Sequence, residues 1–405
     1  MSGKETNRWM VVLAALGIQI CLGAIYIWSV FQPPLIKLFG WTQTTASLTF
    51  TITILSFAIF TIIAGRIQDQ IGPRWVATGG GILLGLGLIL AKFTTSPTWL
   101  YLTFGVMGGC GIGAAYVTPL ATCVKWFPDK KGLITGLAVA GFGGGALVFT
   151  PIADKLFIPK LGVLNTFAAL GVIFAVLVVL CAQLLKNPPP GYRPAGWTPP
   201  TTGAGAVAAR DFSTGEMVGT MQFYLIWLTY LVGSAAGLMV ISVAKPFAVG
   251  AGLSAGLAMW AVMIVSIFNA LGRLTWGTLS DKLGRVRTLM IIFIICGLTM
   301  FFLSSMKMSM ALVGCSLVGF CFGGYLAVYP SLTADYFGTK NLGMNYGTVF
   351  VAYGMGAVVG PLLANKIKDL TGAYDTAFVI AAVMCLVALG LAFLIKAPGA
   401  SKAKA

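Results

Sequence analysis

Arg273 is the only charged residue in an apolar stretch that runs from about residue 255 to 278. It precedes Asp281 by eight residues, so a helix here puts Arg273 about 12 Å from the end that Asp281 marks. Asn269 lies one turn before it and Ser266 three residues earlier again, which gives that helix one polar face. A guanidinium keeps its charge and presents a planar fork that grips a carboxylate through two hydrogen bonds. The ten acids (Glu5, Asp69, Asp129, Asp154, Asp211, Glu216, Asp281, Asp335, Asp369 and Asp375) map to loops or segment ends, so none is a counter-ion at the depth of Arg273. This chemistry is recognition of an organic anion; the competing reading is a structural arginine held by backbone carbonyls and water. Tyrosines supply the other candidates. Tyr116, in Gly113-Ala-Ala-Tyr-Val-Thr-Pro119, and Tyr325 and Tyr329, in Phe322-Gly-Gly-Tyr-Leu-Ala-Val-Tyr-Pro330, sit midway along apolar stretches, and Tyr26 lies nearer the outer side. A tyrosine hydroxyl can orient a carboxylate or a 2-hydroxyl while its ring closes the apolar side, and the same residues serve equally as packing.

These residues need a membrane-embedded scaffold. Of the 405 residues, 58% are hydrophobic, 9% are charged and none is histidine. A soluble surface needs far more charge, whereas hydrocarbon tolerates almost none. The 52 glycines and 18 prolines suit a membrane bundle, in which small residues let helices approach. The net charge of +16 forms no continuous run, which excludes a nucleic-acid stripe and fits basic clusters that set membrane topology. Eight cysteines fall in or beside apolar segments without a CxxC pair and read as small buried hydrophobes, with no metal or cofactor implied. Gly108-Gly-Cys-Gly-Ile-Gly113 reads as close helix packing and not as a phosphate loop, and no G-x-x-x-x-G-K-[ST] exists for an ATP-driven pump. With no histidine and every acid at an edge, an enzyme's acid/base constellation is missing. The first apolar stretch is too long for the core of a signal peptide.

Twelve stretches are long enough to cross about 30 Å of hydrocarbon: roughly 9–31, 45–65, 75–94, 98–123, 133–154, 164–186, 222–244, 255–278, 287–306, 309–332, 344–366 and 374–396. The segment between the sixth and seventh, rich in Pro, Gly and Ala, cannot be a span. The expected organisation is an N-terminal six-helix half over residues 1–186, a linker over 187–220, a C-terminal six-helix half over 221–398 and a basic tail over 399–405. Lysines and arginines divide 17 against 8 between the two faces, which puts both termini in the cytoplasm and leaves Arg273 as the one cation assigned to neither.

The loop after the second span reads Gly65-Arg-Ile-Gln-Asp69-Gln-Ile-Gly72-Pro-Arg74, and the loop after the eighth reads Gly277-Thr-Leu-Ser-Asp281-Lys-Leu-Gly284-Arg285-Val-Arg287. Glycine, aspartate and glycine recur 212 positions apart, the mark of a duplicated half. Both loops resemble the signature G-x-x-x-D-x-x-G-x-[RK] of the major facilitator superfamily, and the resemblance covers essentially the whole chain. It implies an all-α membrane protein of 12 transmembrane helices in two pseudo-symmetric six-helix bundles, with Asp69, Arg74, Asp281 and Arg285 in conformational gating. Lys125-Trp-Phe-Pro-Asp-Lys-Lys-Gly132-Leu-Ile-Thr-Gly136-Leu-Ala-Val-Ala-Gly141-Phe-Gly143 and Asp211-Phe-Ser-Thr-Gly-Glu216-Met are similar to the oxalate/formate branch of antiporters and, for the first, to monocarboxylate transporters. Arg273 matches the substrate-binding arginine of that branch; along Gly347-Thr-Val-Phe-Val-Ala-Tyr353 a second family cation, a lysine, is replaced by Tyr353. One cation for one carboxylate implies a monocarboxylate of the lactate or pyruvate kind, expected to move with a proton as symport through a monomer in the inner membrane. Carboxylate exchange and a non-transporting sensor on the same scaffold are the alternatives. Animal monocarboxylate transporters carry an aspartate where this chain has Asn269, which weighs toward exchange.

Overall fold

Apolar segments of this length become helices because every backbone N–H and C=O must be satisfied within the segment. A computed structural model describes residues 7–194, 196–198, 210–303, 305–306 and 309–397. Lys4, Glu5, Lys307, the expected tail 399–405 and the linker residues 199–209 lie outside the described residues, as does the side chain of Lys245. Among the described residues, ten helical runs are long and apolar enough to cross a membrane. One of them, Lys131–Ala182, has 52 residues and bends at Gly162 (φ 77°, ψ 163°), which makes it two crossings. The run Ala255–Leu283, which carries Arg273, completes twelve.

The twelve are α1 (8–39), α2 (Gln43–Ile71), α3 (Pro73–Ala91), α4 (Pro97–Trp126), α5 (131–161), α6 (163–182), α7 (Met221–Gly250), α8 (Ala255–Leu283), α9 (Arg285–Leu303), α10 (Ser309–Phe337), α11 (Leu342–Thr371) and α12 (Asp375–Phe393). Their starts follow local chemistry. Asn7, Thr42, Ser96 and Thr220 accept hydrogen bonds from the free amides of α1, α2, α4 and α7, and Pro73 opens α3 where no amide partner is needed. Several helices outrun the apolar stretches that mark them. The first continues from an expected end near residue 31 through Pro33 and Pro34 to Phe39, after a 3-10 turn over Gly23–Ile27. Hydropathy locates the part of a helix that lipid selects, and hydrogen bonding carries the backbone beyond it.

Large apolar side chains remain exposed along the helices, such as Leu86, Ile59, Leu298 and Leu386, as hydrocarbon solvent requires. The chain forms two compact units. The first comprises residues 1–129, 141–197 and 341–348, and the second 130–140, 198–340 and 349–405. The start of α5 thus belongs to the second unit, and the start of α11 to the first. Arg273 lies in the second.

Candidate functional site

In the second unit, α8 is clasped closely along the turn that carries the cation. A Cβ at Gly136 of α5 would collide with the Arg273 carbonyl, and one at Gly323 of α10 with the Asn269 carbonyl. Such approach is how membrane helices pack in the absence of a hydrophobic drive between them. Arg273 is 1% exposed. Its Nε donates to Asn269 Oδ1 at 2.9 Å, and Nη1 donates to the carbonyl of Val139 on α5. The amide nitrogen of Asn269 donates in turn to the Gly319 carbonyl on α10 at 3.4 Å, which aims its oxygen at the guanidinium. Both partners of Arg273 are neutral, and among the described residues no carboxylate lies within ion-pairing distance of it. One backbone carbonyl and one side-chain amide are recruited, and among the described residues no acid joins them. Ser266 is half-buried on the same face. One turn on, Trp276 is 5% exposed and its indole N–H has no partner among the described residues.

The tyrosines gather into two aromatic nests, one in each unit. In the second, Tyr325, Tyr329 and Tyr353 are all buried. Tyr329 stacks on Tyr230 with centroids 4.1 Å apart, Tyr325 meets Phe293 at 5.0 Å, and Tyr353 stacks on Phe350 at 4.7 Å. In the first unit, Tyr116 and Tyr26 both pack edge-on against Phe142, at 5.3 and 5.4 Å, and Phe57 closes on Tyr116 at 5.0 Å. Tyr230, Phe142 and Gln19 escape sequence reasoning. Gln19 is fully buried on α1, donates to the Tyr116 carbonyl at 3.3 Å, and its own carbonyl oxygen has no partner among the described residues. The helical repeat of polar residues along α1 is the one signal that marks it. Tyr325 and Tyr329 make no hydrogen bond to Arg273 among the described residues. A separate crevice lined by Cys21, Phe31, Leu84, Phe104 and Phe174 is apolar and offers nothing to an anion.

The two repeated loops place their aspartates alike. Asp69 accepts the amides of Gly343 and Met344 at the start of α11, at 3.2 and 2.9 Å, and Gln68 Nε2 at 2.7 Å; Lys125 Nζ stands 3.4 Å away. Asp281 accepts the amides of Gly132 and Leu133 at the start of α5, both at 2.8 Å, and Arg285 Nη1 at 2.6 Å. A carboxylate on two free amides at a helix start is favoured by the bonds and by the helix dipole. Arg285 reaches further, with Nε 2.8 Å from Asp335, and Lys131 Nζ closes on the other oxygen of Asp335 at 2.7 Å. Asp335 and Lys131 are 7% and 3% exposed. Asp335 lies at a helix end, as expected, near the end of α10; packing removes it from solvent and two cations replace the water. Arg74 does not join Asp69; it is exposed, its Nε donates to Gln183 at 2.6 Å, and it lies over Trp75.

A family model described as Major Facilitator Superfamily matches residues 11–254 and 226–405. The oxalate:formate antiporter of Oxalobacter formigenes is 30% identical over 398 residues, covering 96% of this chain and 92% of the relative. Monocarboxylate transporter 12 of Xenopus laevis is 26% identical over 414 residues, covering 96% and 89%. Among solved structures, the E. coli fucose:proton symporter FucP in an outward conformation superposes with a TM-score of 0.73 at 16% identity, over 96% of this chain and 98% of that one.

Proposed function

Because the chain belongs to the Major Facilitator Superfamily, we propose that it is a secondary active transporter of a small monocarboxylate of the lactate or pyruvate type, moved with a proton by alternating access. The observation that carries this reading is Arg273, a buried guanidinium whose only hydrogen-bond partners among the described residues are a side-chain amide and a backbone carbonyl. A cation at such depth costs about 2.5–3.5 kcal/mol even on lenient insertion scales, and a substrate carboxylate offsets that cost. Asn269 holds the guanidinium plane by Nε, so the fork is pre-aimed and little ordering is lost when two hydrogen bonds form to the anion. Tyr325, Tyr329 and Tyr353, in the same unit as Arg273, supply apolar walls and hydroxyls that sort the remainder of the acid, and Tyr116 and Tyr26 are the candidates of the first unit for the same task. Tyr353 adds no charge, and one cation for one carboxylate selects a monoanion over a dianion.

The helix-start caps on Asp69 and Asp281, together with Arg285, act as cytoplasmic locks that break and re-form in each cycle, as a monomer in the inner membrane with both termini in the cytoplasm. Arg273 resets only when its charge is neutralised, which couples the turnover of the carrier to the anion. Exchange of one carboxylate for another is the second reading. It is favoured by Asp335, the one buried acid among the described residues, which is tied up between Lys131 and Arg285 and is not free to ferry a proton.

The test is uptake of labelled lactate into proteoliposomes, with and without an inward proton gradient, for the wild type and Arg273→Lys. Gradient-driven uptake that the substitution abolishes supports symport and the two-pronged grip. Uptake that ignores the gradient but needs a carboxylate preloaded inside makes the protein an exchanger. No lactate flux in either condition removes lactate from the substrate class.

A further inference from the structure

The linker between the sixth and seventh crossings is the segment that transport chemistry leaves without a task, yet both of its described ends are fastened. At its start, Trp126 at the end of α4 donates its indole N–H to the Lys186 carbonyl at 2.6 Å and packs edge-on against Tyr192 at 4.8 Å. Trp126 directly follows Lys125, the cation beside Asp69. At its other end, Asp211 Oδ1 accepts the amides of Thr339 and Lys340, at 2.9 and 3.0 Å. The Phe212 amide donates to the Phe337 carbonyl at 2.9 Å, and the two rings meet edge-on at 5.6 Å. Between them, Gly338 turns the chain at φ 83°, where a Cβ would strike Asp211. The next turn of chain begins α11 at Leu342, and the amides of Gly343 and Met344 are those that Asp69 holds.

The segment around Asp211 is itself stiffened. A short helix, Thr214–Val218, opens with a reciprocal cap between Ser213 and Glu216, whose carboxyl is held below its usual range, first by the Ser213 amide and then by the Ser213 hydroxyl. Arg210 lies over the Phe212 ring at 4.6 Å and pairs with Glu216 at 3.2 Å. A passive tether needs none of this.

We infer that the two described ends of the linker splint the Asp69 lock: Lys186 and Tyr192 fix the α4 terminus that carries Lys125, and Asp211 with Phe212 fixes the turn that presents the α11 amides. Asp211 is a positioning residue in this device and acts through residues 338–341. The inference rests on the reading of Asp69 as a lock, and the following experiment separates the two.

Residue-resolved hydrogen–deuterium exchange is measured on the full-length protein in nanodiscs for the wild type, Asp69→Ala, Asp211→Ala, Asp211→Asn and Trp126→Phe. Asp69→Ala frees the amides of Gly343 and Met344 if the lock holds; no change there discards the lock itself. Asp211→Ala raises exchange at Thr339 and Lys340 and also, about tenfold, at Gly343 and Met344. Asp211→Asn, which keeps the single accepting oxygen, restores protection at all four. Trp126→Phe keeps the ring beside Tyr192 but loses the donor, and it raises exchange at Gly343 and Met344 without touching Thr339. A response to Asp211→Ala confined to 339–340, or none at 343–344 in Trp126→Phe, overturns the splint while leaving the lock standing. The Trp126 substitution keeps the test open if Asp211→Ala does not fold.

Discussion

The loops around Asp69 and Asp281 share a motif 212 positions apart and the same use of it, one carboxylate on two successive amides at a helix start. Their electrostatics differ. Asp69 leans on Lys125 at 3.4 Å, a lysine with some access to water. Asp281 belongs to a net of two acids and two cations in which Arg285 bridges to Asp335 and Asp335 to Lys131, with contacts of 2.6–2.8 Å. Duplication preserved the backbone geometry of the cap, which needs only a short acid at a fixed spacing. The surrounding charges were free to diverge, so the two copies have unequal strength.

The sharpest way to break this comparison is to remove one member of the net. Lys131→Met leaves Asp335 with one cation in a buried setting, and thermal unfolding in detergent registers a loss of about 3–5 kcal/mol; the double substitution Lys131→Met with Asp335→Leu recovers much of it. Next in size, Asp281→Ala removes a partly exposed carboxylate with its two amide bonds and guanidinium partner, a net loss of about 1.5–3 kcal/mol in all. Exchange at Gly132 and Leu133 rises by more than Asp69→Ala raises it at Gly343 and Met344. Lys125→Met is milder: a single, partly solvated ion pair contributes about 0–1 kcal/mol, so exchange at Gly343 changes by less than tenfold. Arg74→Ala is the smallest, within about 0.5 kcal/mol in thermal unfolding and without effect on exchange at either helix start. An Arg74 effect as large as that of Lys125 ends the distinction between signature and partner.

Much of this was legible in the sequence because it rests on one-dimensional signals. Apolar length marks the crossings, charge cost singles out Arg273, and recurrence identifies Asp69 and Asp281. Fold and family follow from these. Lys131 and Asp335 were not legible, since their pairing spans 204 residues and each alone resembles an ordinary charge at a helix end. Val139 contributes only a carbonyl, which no side chain advertises, and Tyr230 matters through the ring stacked upon it. Arg74 shows the opposite failure: the signature includes it, yet its neighbour is Gln183, 109 residues away.

The close backbone contacts on α8 bear on how this carrier can be retuned. Gly136 and Gly323 bring the backbones of α5 and α10 against α8 on either side of Arg273, so on the proposed reading of Arg273 as the carboxylate's partner the cation is a fixed datum for the cargo. Selection for a longer or bulkier acid then has little to gain by moving the charge. On that reading it works by trimming or swapping the aromatic rings, and variants enlarged at Tyr325, Tyr329 or Tyr353 would inherit the proposed anion anchor unchanged.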